Sequence, residues 1–348
     1  MLIHVKERLL KVDIQSQYEQ PMNQGEVRTE KEPQYIVWLE PNVELPVTLI
    51  GNKALGVIKL MRFTQFGFNV PEGFAITTDA YKEILKLGTH KIDELLRGRT
   101  RGLGKTATRI KDVLLQKIEP FDLITQIVTP PYNKLCQLYG VADLGVAVRS
   151  SAIAEDLKTK SYAGSYESYL NVKGINSLVV YVLRCFASAW KKHLLRERKN
   201  AMDESGIIAL LVQRIIHSDV AGVTFTADPV SGDTSKICIN SAWGLGDVVV
   251  SGRVNADIFC FDKRTMQLKQ VRIGEKDVAS HCRNTGGTSL EPVPPEMVHV
   301  PSLTPENAFR LASVCSKIEN EFGYPVDIEW AFSKNDLYLL QVRPITTL

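Results

Sequence analysis

The sequence predicts an α+β protein built in two parts. At 348 residues, the chain is long enough for roughly two domains and a large hydrophobic core. Residues 80–140 carry apolar side chains at helical spacing, whereas the stretch after residue 207 alternates short apolar runs with Gly, Pro and Asp turns. We therefore predict helices mainly in the first part and an antiparallel or mixed sheet in the second.

The composition is typical of a soluble globular protein, with 44% hydrophobic residues, 23% charged residues and a net charge of +3. The mild charge, without a basic run interleaved with aromatic residues, argues against a nucleic-acid partner. No apolar run is long enough to span a bilayer, and the N-terminus lacks the pattern of a signal peptide. The six cysteines are scattered without a CxxC pair, which predicts reduced thiols in a cytoplasmic protein.

Residues 1–46 are predicted to form an N-terminal arm with lead-in strands. A strand is expected at Tyr35–Leu39 and a second extended piece at Val43–Ile50. The turn Gly51-Asn52-Lys53 then opens a helix. Backbone N–H groups at a helix start favour phosphate, and Lys53 adds a positive charge, although a simple turn without a ligand is the alternative.

A buried strand at Gly145–Val148 ends in residues suited to an anion. It leads directly to Arg149-Ser150-Ser151, which offers a guanidinium fork and two hydroxyl groups. The small residues Ala163-Gly164-Ser165 would let the backbone lie against a ligand. The alternative is an ordinary strand followed by a polar loop.

The remaining elements follow from the apolar spacing. Helices are predicted at Tyr81–Leu87, Lys111–Ile118, Leu123–Leu138, Leu178–Arg198 and Pro305–Phe322, the last with Thr304 as its N-cap and Gly323 at its end. Strands are predicted at Ile207–Ile216, from Ala221 to the Pro229 turn, at Ile237–Ser241 and at Asp257–Asp262, and residues 274–301 are expected to be irregular.

The C-terminal stretch is predicted to be a hairpin around the turn Ser333–Asp336. Such a hairpin places Glu329 and Gln341 side by side on one face, with Arg343 two residues further on the same face. The two side-chain oxygens suit a hard cation such as Mg²⁺, and the Arg suits phosphate. The alternative is an edge hairpin with a polar face in solvent.

The order of these motifs along the chain carries a resemblance. The series runs through Gly51-Asn52-Lys53, Val70-Pro71-Glu72-Gly73-Phe74, Ala147-Val148-Arg149-Ser150-Ser151, Ser161-Tyr162-Ala163-Gly164, Gln213, Gly222–Pro229, Trp243-Gly244-Leu245-Gly246, Asp327-Ile328-Glu329-Trp330 and Leu340-Gln341-Val342-Arg343-Pro344. Over about residues 47–348, the chain closely resembles the ATP-binding domain of the phosphoenolpyruvate synthase and pyruvate phosphate dikinase family, which includes rifampicin phosphotransferases.

The resemblance implies an ATP-grasp fold with two lobes around Mg-ATP: an N-terminal lobe with a helical insertion at 47–206 and a C-terminal lobe at 207–348. It implies the following roles by position: Lys53 and Arg149 on the phosphates, Gly164 against them through its backbone, Ser168 in place of the family's Thr, Gln213 beside the adenine and ribose, Glu329 and Gln341 on the metal, and Arg343 on the transferring group. Arg149 and Arg343 are the predicted catalytic residues.

Two departures from the family pattern accompany the resemblance. Asp247 stands where the family has Glu, which leaves the role of that carboxylate open. The sequence also ends at Leu348, without the family's swivelling domain, whose histidine takes the pyrophosphoryl group, and without its substrate domain. His217 and His281 do not sit in that domain's motif and are not expected to carry phosphate.

Three functional hypotheses follow. In the first, the chain is the ATP-binding subunit of a split dikinase-type synthetase that phosphorylates a histidine on a partner subunit, with phenol as final acceptor, as in phenylphosphate synthase, or pyruvate. In the second, the chain is part of a longer synthase. In the third, it binds nucleotide as a sensor without turnover, although the full set of phosphate and metal residues argues against this.

Overall fold

Two antiparallel sheets form the framework of the protein. The computed structural model describes residues 32–98, 102–115, 118–152, 167–192, 194–196, 200–203 and 206–346. Residues Gln34–Leu348 form one compact unit. None of the described helices is both long and apolar enough to cross a bilayer.

The first sheet has five strands in the order β1-β2-β5-β3-β4. Its strands are β1 (Ile36–Trp38), β2 (Gly73–Ile76), β3 (Val146–Ala152), β4 (Ser168–Val172) and β5 (Ile208–Arg214). Strand β5 is at the centre, because it pairs with β2 on one side and β3 on the other. The change from the first sheet to the second therefore comes after Arg214, and the lobe boundary between residues 206 and 207 stays a prediction.

Helices cover both faces of this sheet. They are α1 (Val47–Met61), α2 (Thr78–Arg97), α3 (Leu103–Leu115), α4 (Ile118–Leu138) and α5 (Ile175–Ser188), with a short 3₁₀ turn at Leu194–Arg196. Helices α2 to α5 share one apolar core with the sheet, in which the Tyr81 and Phe186 rings stack at 4.5 Å. Helix α1 packs on the opposite face, where Val57 lies in a cluster with Ala75 and Leu211.

Two predictions in this half are wrong. The segment Val43–Ile50 is not extended throughout, because residues 47–50 already form a helical turn, and Gly51, with φ of 73°, then kinks the helix. The helix expected at Leu178–Arg198 begins at Ile175 and ends at Ser188. Just beyond that end, Trp190 is fully buried, so the chain turns into the core rather than continuing along the surface.

The second sheet has six strands in the order β13-β12-β6-β7-β8-β9. They are β6 (Val220–Phe225), β7 (Lys236–Trp243), β8 (Asp257–Asp262), β9 (Leu268–Arg272), β12 (Val326–Ser333) and β13 (Asp336–Pro344). The one-turn helix α6 (Asp247–Val250) follows β7, and helix α7 (Pro305–Phe322) packs on one face of the sheet. The predicted caps of α7 are confirmed: the Thr304 side chain accepts a hydrogen bond from the Asn307 N–H, and Gly323 has φ of 75°.

The stretch 274–301, expected to be irregular, contains a hairpin of β10 (Val278–Cys282) and β11 (Thr288–Pro292), followed by a 3₁₀ turn at Pro295–Met297. A fully buried ion pair anchors the start of this stretch. Lys276 Nζ lies 2.6 Å from Asp257 Oδ1, and both side chains have no exposed surface. The apolar periodicity of the hairpin is weak because most of β11 is exposed, which explains why the sequence did not reveal it.

Helix α1 touches both sheets through glycines. A Cβ atom on Gly51 would lie 1.9 Å from the carbonyl oxygen of Ser151 in the first sheet. A Cβ atom on Gly56 would lie 2.8 Å from the carbonyl oxygen of Val342 in the second. The helix backbone therefore lies directly against the backbone of β3 and of β13.

Candidate functional site

The C-terminal hairpin of β12 and β13 has the predicted register. Glu329 pairs with Gln341, and the two-residue turn at Lys334 and Asn335 has positive φ at both positions, as tight hairpin turns favour. The register shifts next to Glu329, because Trp330 pairs with Leu339 and leaves Leu340 as an extra residue. The prediction that Glu329 and Gln341 lie side by side is therefore confirmed.

Arg149 of β3 reaches this hairpin from the other sheet. Its Nη1 atom lies 2.7 Å from Glu329 Oε2 and 3.4 Å from Gln341 Oε1. Only 14% of the Arg149 side chain and 20% of the Glu329 side chain are exposed. A single cationic nitrogen thus bridges the two oxygens that the sequence pairs as a cation site.

The protonation of Glu329 follows from this neighbourhood. Burial alone would raise the pKa of its carboxyl group, but the positive charges of Arg149, Arg343 and Lys53, together with the hydrogen bond from Arg149, outweigh burial and lower the pKa below its ordinary value. Glu329 is therefore a carboxylate at neutral pH. An ionised carboxylate oxygen at this position suits a hard cation.

Lys53 is held beside Arg149 by the start of α1. The Ser151 hydroxyl donates to the Ile50 carbonyl at 2.7 Å and accepts from the Ala54 N–H at 3.1 Å. These two bonds fix the Gly51 kink onto β3, and Lys53 Nζ donates to the Ser150 carbonyl at 3.0 Å. The turn and the strand that the sequence singled out separately are therefore one structural unit.

The predicted residues converge on a cleft of about 570 Å³ between the two sheets. Its lining includes seven of the eight site residues named from the sequence: Lys53, Arg149, Ser168, Gln213, Glu329, Gln341 and Arg343. The eighth, Gly164, lies outside the described residues. With Arg214, four cationic side chains face two carboxylates, those of Asp247 and Glu329, among the described lining residues, so the cleft suits a polyanion.

Ser168 and Gln213 have different surroundings within the cleft. Ser168 is exposed on β4, where it pairs directly with Arg149. Gln213 is buried in β5, and its side-chain amide donates to the Pro71 carbonyl at 3.2 Å. Ser168 thus lies next to Arg149 in the cleft. Gln213 lies near the end of β5, just before Ile215 and Ile216, which form an apolar part of the cleft lining.

Two carboxylates were given no role by the sequence reading. Asp327 is 6% exposed, and its Oδ2 atom lies 2.7 Å from Arg343 Nε, which holds that guanidinium at the cleft. The signal was present, because Asp327 and Arg343 are direct partners in the predicted hairpin. Asp247 lines the cleft, and burial raises the pKa of its carboxyl group. Its Oδ1 atom is buried with no hydrogen-bond donor among the described residues.

His217 and His281 lie outside this cleft. Both line a neighbouring cavity of about 450 Å³, whose wall shares Ser218 and Leu245 with the cleft. Burial, with the nearby charges of Lys173 and Arg214, lowers the pKa of His217, so this imidazole is neutral at pH 7.

Comparison with known proteins decides the family. Residues 47–348 match the family described as "Pyruvate phosphate dikinase, AMP/ATP-binding domain". The chain belongs to this family. Its fold is accordingly α+β of the ATP-grasp type, and both the predicted family and the predicted fold class are confirmed.

Relatives of this ATP-binding domain carry two kinds of name. The chain is 35% identical to a probable phosphoenolpyruvate synthase of Methanocaldococcus jannaschii, over 90% of this chain and 27% of that protein. It is 35% identical to one of Methanothermobacter thermautotrophicus, over 92% of this chain and 47% of that protein. It is 32% identical to the rifampicin phosphotransferase of Bacillus subtilis, over 87% of this chain and 35% of that protein. The chain thus spans less than half the length of these relatives.

Proposed function

We propose that the cleft binds Mg-ATP and that the chain transfers a phosphoryl or pyrophosphoryl group from it to a histidine on a partner subunit, with AMP and phosphate as products. The observation that carries the proposal is the bridge from Arg149 to Glu329 and Gln341, which brings the phosphate-binding and metal-binding sets of the family together at one point. The cleft is lined by seven of the predicted site residues, which come from four separate sequence motifs and two further strand positions. Their convergence on one cleft supports a shared function.

The cationic end of the cleft suits a triphosphate. Lys53 and Arg149 come from the first sheet and its helix, whereas Arg343 comes from the second, so the charges approach from two sides. Phosphoryl transfer needs positioning and charge stabilisation more than covalent chemistry from the protein. Asp327 keeps Arg343 oriented, so that little reorganisation is needed when charge develops on the transferring group.

The donor set at Glu329 and Gln341 fits Mg²⁺. A carboxylate oxygen and an amide oxygen are hard ligands, and Mg²⁺ commonly binds one or two protein groups while keeping waters and substrate phosphates. The Arg149 guanidinium already stands between these two oxygens as a positive charge, which indicates that the position attracts cations. When bound, the metal would neutralise phosphate charge. Glu329 and Gln341 would hold it, and Arg149 would then turn to the phosphates.

The acceptor is proposed to be a histidine supplied from elsewhere. No histidine lines the cleft within the part of the chain that the structure describes, since His217 and His281 face the neighbouring cavity. A partner subunit with a swivelling histidine domain and an acceptor site would complete the reaction. For the final acceptor, we propose phenol, as in a phenylphosphate synthase, or pyruvate, the latter supported by relatives named phosphoenolpyruvate synthase.

A second candidate is the same ATP-binding domain within a longer phosphoenolpyruvate synthase or rifampicin phosphotransferase-like enzyme. The relatives favour it, because each is more than twice as long as the region it shares with this chain. The chemistry at the cleft is the same in both cases. The two differ only in whether the acceptor histidine is on the same polypeptide.

The test is AMP formation from Mg-ATP, with the chain alone and with a candidate histidine-bearing subunit. We expect AMP only in the mixture, together with acid-labile phosphate on the partner's histidine. Arg343→Ala should abolish AMP formation while only weakening ATP binding, because Arg343 acts on the transferring group. Glu329→Ala should raise the Mg²⁺ concentration needed for activity. Tight ATP binding without AMP in every mixture would instead identify a nucleotide sensor, and turnover by Arg343→Ala equal to that of the wild type would remove Arg343 from the mechanism.

A further inference from the structure

Cys238 and Cys260 form a close thiol pair in the second sheet. Cys238 lies on β7 and Cys260 on β8, and the two residues are direct partners across the antiparallel pair. Their Sγ atoms are 2.8 Å apart, and both thiols are free. Neither cysteine is among the residues proposed for phosphoryl transfer.

The backbone spacing expected for this pair is compatible with a disulfide. Directly opposed residues of an antiparallel pair have Cα atoms about 4.5–5.5 Å apart, which falls within the range that a disulfide bridges. Forming the bond needs the sulfurs to approach from 2.8 Å to about 2.05 Å, a movement of less than about 1 Å that side-chain rotation supplies. The register of β7 and β8 can stay unchanged.

The two thiols differ in exposure and acidity. Cys238 is buried, whereas Cys260 is half-buried and is thus the more accessible of the two. The hydrogen bond between the two sulfurs lowers the pKa of Cys260, and that same bond, with burial, raises the pKa of Cys238. Cys260 is therefore the better nucleophile, and Cys238 is the partner that reacts second.

We propose that Cys238 and Cys260 are a modification site that forms a reversible disulfide with a low-molecular-weight disulfide, such as oxidised glutathione, as oxidant. The Cys260 thiolate attacks one sulfur of the oxidant and expels a thiolate, which leaves a mixed disulfide on Cys260. Cys238 then loses its proton and attacks Cys260 Sγ, expelling the second small thiol. Two protein thiols are oxidised, and one small disulfide is reduced to two thiols.

The pair lies on the face of the sheet that carries part of the candidate site. Cross-strand partners run in one row from Arg343 through Asp327 and Phe225 to Cys238 and Cys260, and partners in a row point to the same side. At about 4.8 Å per strand, Cys238 stands roughly 10 Å from the position of Asp327. The disulfide would thus join β7 to β8 on the cleft-bearing side without using any site residue.

Peptide mapping of the whole chain tests the proposal. Trypsin cleaves after Lys236, Arg253 and Lys263, so Cys238 and Cys260 fall on separate fragments, 237–253 and 254–263. The native chain is incubated with oxidised glutathione, its remaining thiols are alkylated in denaturant, and the fragments are weighed. We expect loss of two of the six thiols and a linked pair of these fragments about 2 Da lighter than their sum, reversed by dithiothreitol.

Variants and the unfolded chain provide the controls. Cys282→Ser removes the other half-buried thiol and should leave the linked fragments unchanged. Cys238→Ser should stop at a glutathione adduct on Cys260, which would support the order of attack. The proposal is overturned if native protein yields only alkylated or glutathione-bearing fragments, or if the chain unfolded in urea links the two cysteines as readily as the folded chain does. The wild-type map decides even if a variant fails to fold.

Discussion

Replacing Arg149 by Met should strengthen metal binding in the absence of nucleotide. In the structure, Arg149 Nη1 lies 2.7 Å from Glu329 Oε2, so a metal ion bound as we propose would first have to displace the guanidinium from this carboxylate. With an effective dielectric constant of about 20, two unit charges at this distance attract by roughly 6 kcal/mol, which is a gross upper value. Both side chains are mostly buried but reach solvent, so the hydration that the two charges regain when they separate offsets much of this attraction.

The net free energy of the Arg149–Glu329 ion pair, which opposes metal binding, lies between two limits. A surface ion pair contributes about 0–1 kcal/mol, and breaking a buried pair costs about 3–5 kcal/mol. A net value of about 1.5–3 kcal/mol corresponds to roughly 10- to 150-fold tighter metal binding, since 1.4 kcal/mol is a factor of ten. The same variant should bind ATP more weakly, because it lacks one of the cleft cations that we propose to bind phosphate.

The assay is a titration of the nucleotide-free protein with Mn²⁺, in which electron paramagnetic resonance measures the free ion. Arg214→Met is the matched control, because Arg214 also lines the cleft but pairs with Glu72, at 3.3 Å. This control should leave the Mn²⁺ affinity within about fivefold of the wild type, because a surface pair contributes less than about 1 kcal/mol. If Arg149→Met binds Mn²⁺ no more tightly than the wild type does, Arg149 does not compete with the metal and the reasoning is refuted.

Three further predictions concern stability and can be checked by urea unfolding. Gly51→Ala should destabilise the fold by about 3 kcal/mol or more, because its Cβ atom would lie 1.9 Å from the β3 carbonyl oxygen. The control Gly67→Ala is also at positive φ but has nothing within 4 Å, so it should cost only about 1 kcal/mol. Equal losses of stability in the two variants would contradict the packing argument. The lowered pKa of Glu329 contributes stability that is present above its ordinary pKa of about 4.5 and is lost as the pH falls through the lower folded value. Glu329→Gln should therefore flatten the acid side of the plot of unfolding free energy against pH. An unchanged slope would argue against the ion pair. Lys276→Met should cost about 3–5 kcal/mol of stability, because it removes the cation that pairs with the buried Asp257 carboxylate. Adding Asp257→Asn to this variant should restore part of the loss. A double variant no more stable than Lys276→Met would contradict the prediction.

The sequence predicted the C-terminal hairpin better than it predicted the boundaries of several other elements. Alternation in β12 and the turn after it predicted the hairpin, but a regular ladder from this turn would set Glu329 opposite Leu340, and the extra residue Leu340 is what brings Gln341 opposite Glu329. The contact of Arg149 with this hairpin joins residues 180 positions apart, and no local pattern predicts such a contact. Only the resemblance to the family placed these motifs in one cleft.

The extra residue in β13 shows why local patterns fall short. Leu337 and Leu339 lie in the core, so simple alternation would send Gln341 into the core as well. Leu340 breaks this alternation, which turns Gln341 to the cleft and lets Val342 rejoin the core. A β-bulge of this kind leaves only an interrupted apolar pattern in the sequence, and that pattern alone does not distinguish it from a strand end.

Helix α1 meets each sheet through a glycine, with Gly51 against Ser151 and Gly56 against Val342. Main chain rests on main chain at both contacts, so the span from the backbone of Lys53 to the backbone of the hairpin does not depend on how core side chains between them pack. Drift in the size of core side chains during evolution should therefore leave this span almost untouched. If the proposed function holds, acceptor domains of very different kinds could be joined to such a unit without changing the backbone spacing between helix α1 and the hairpin.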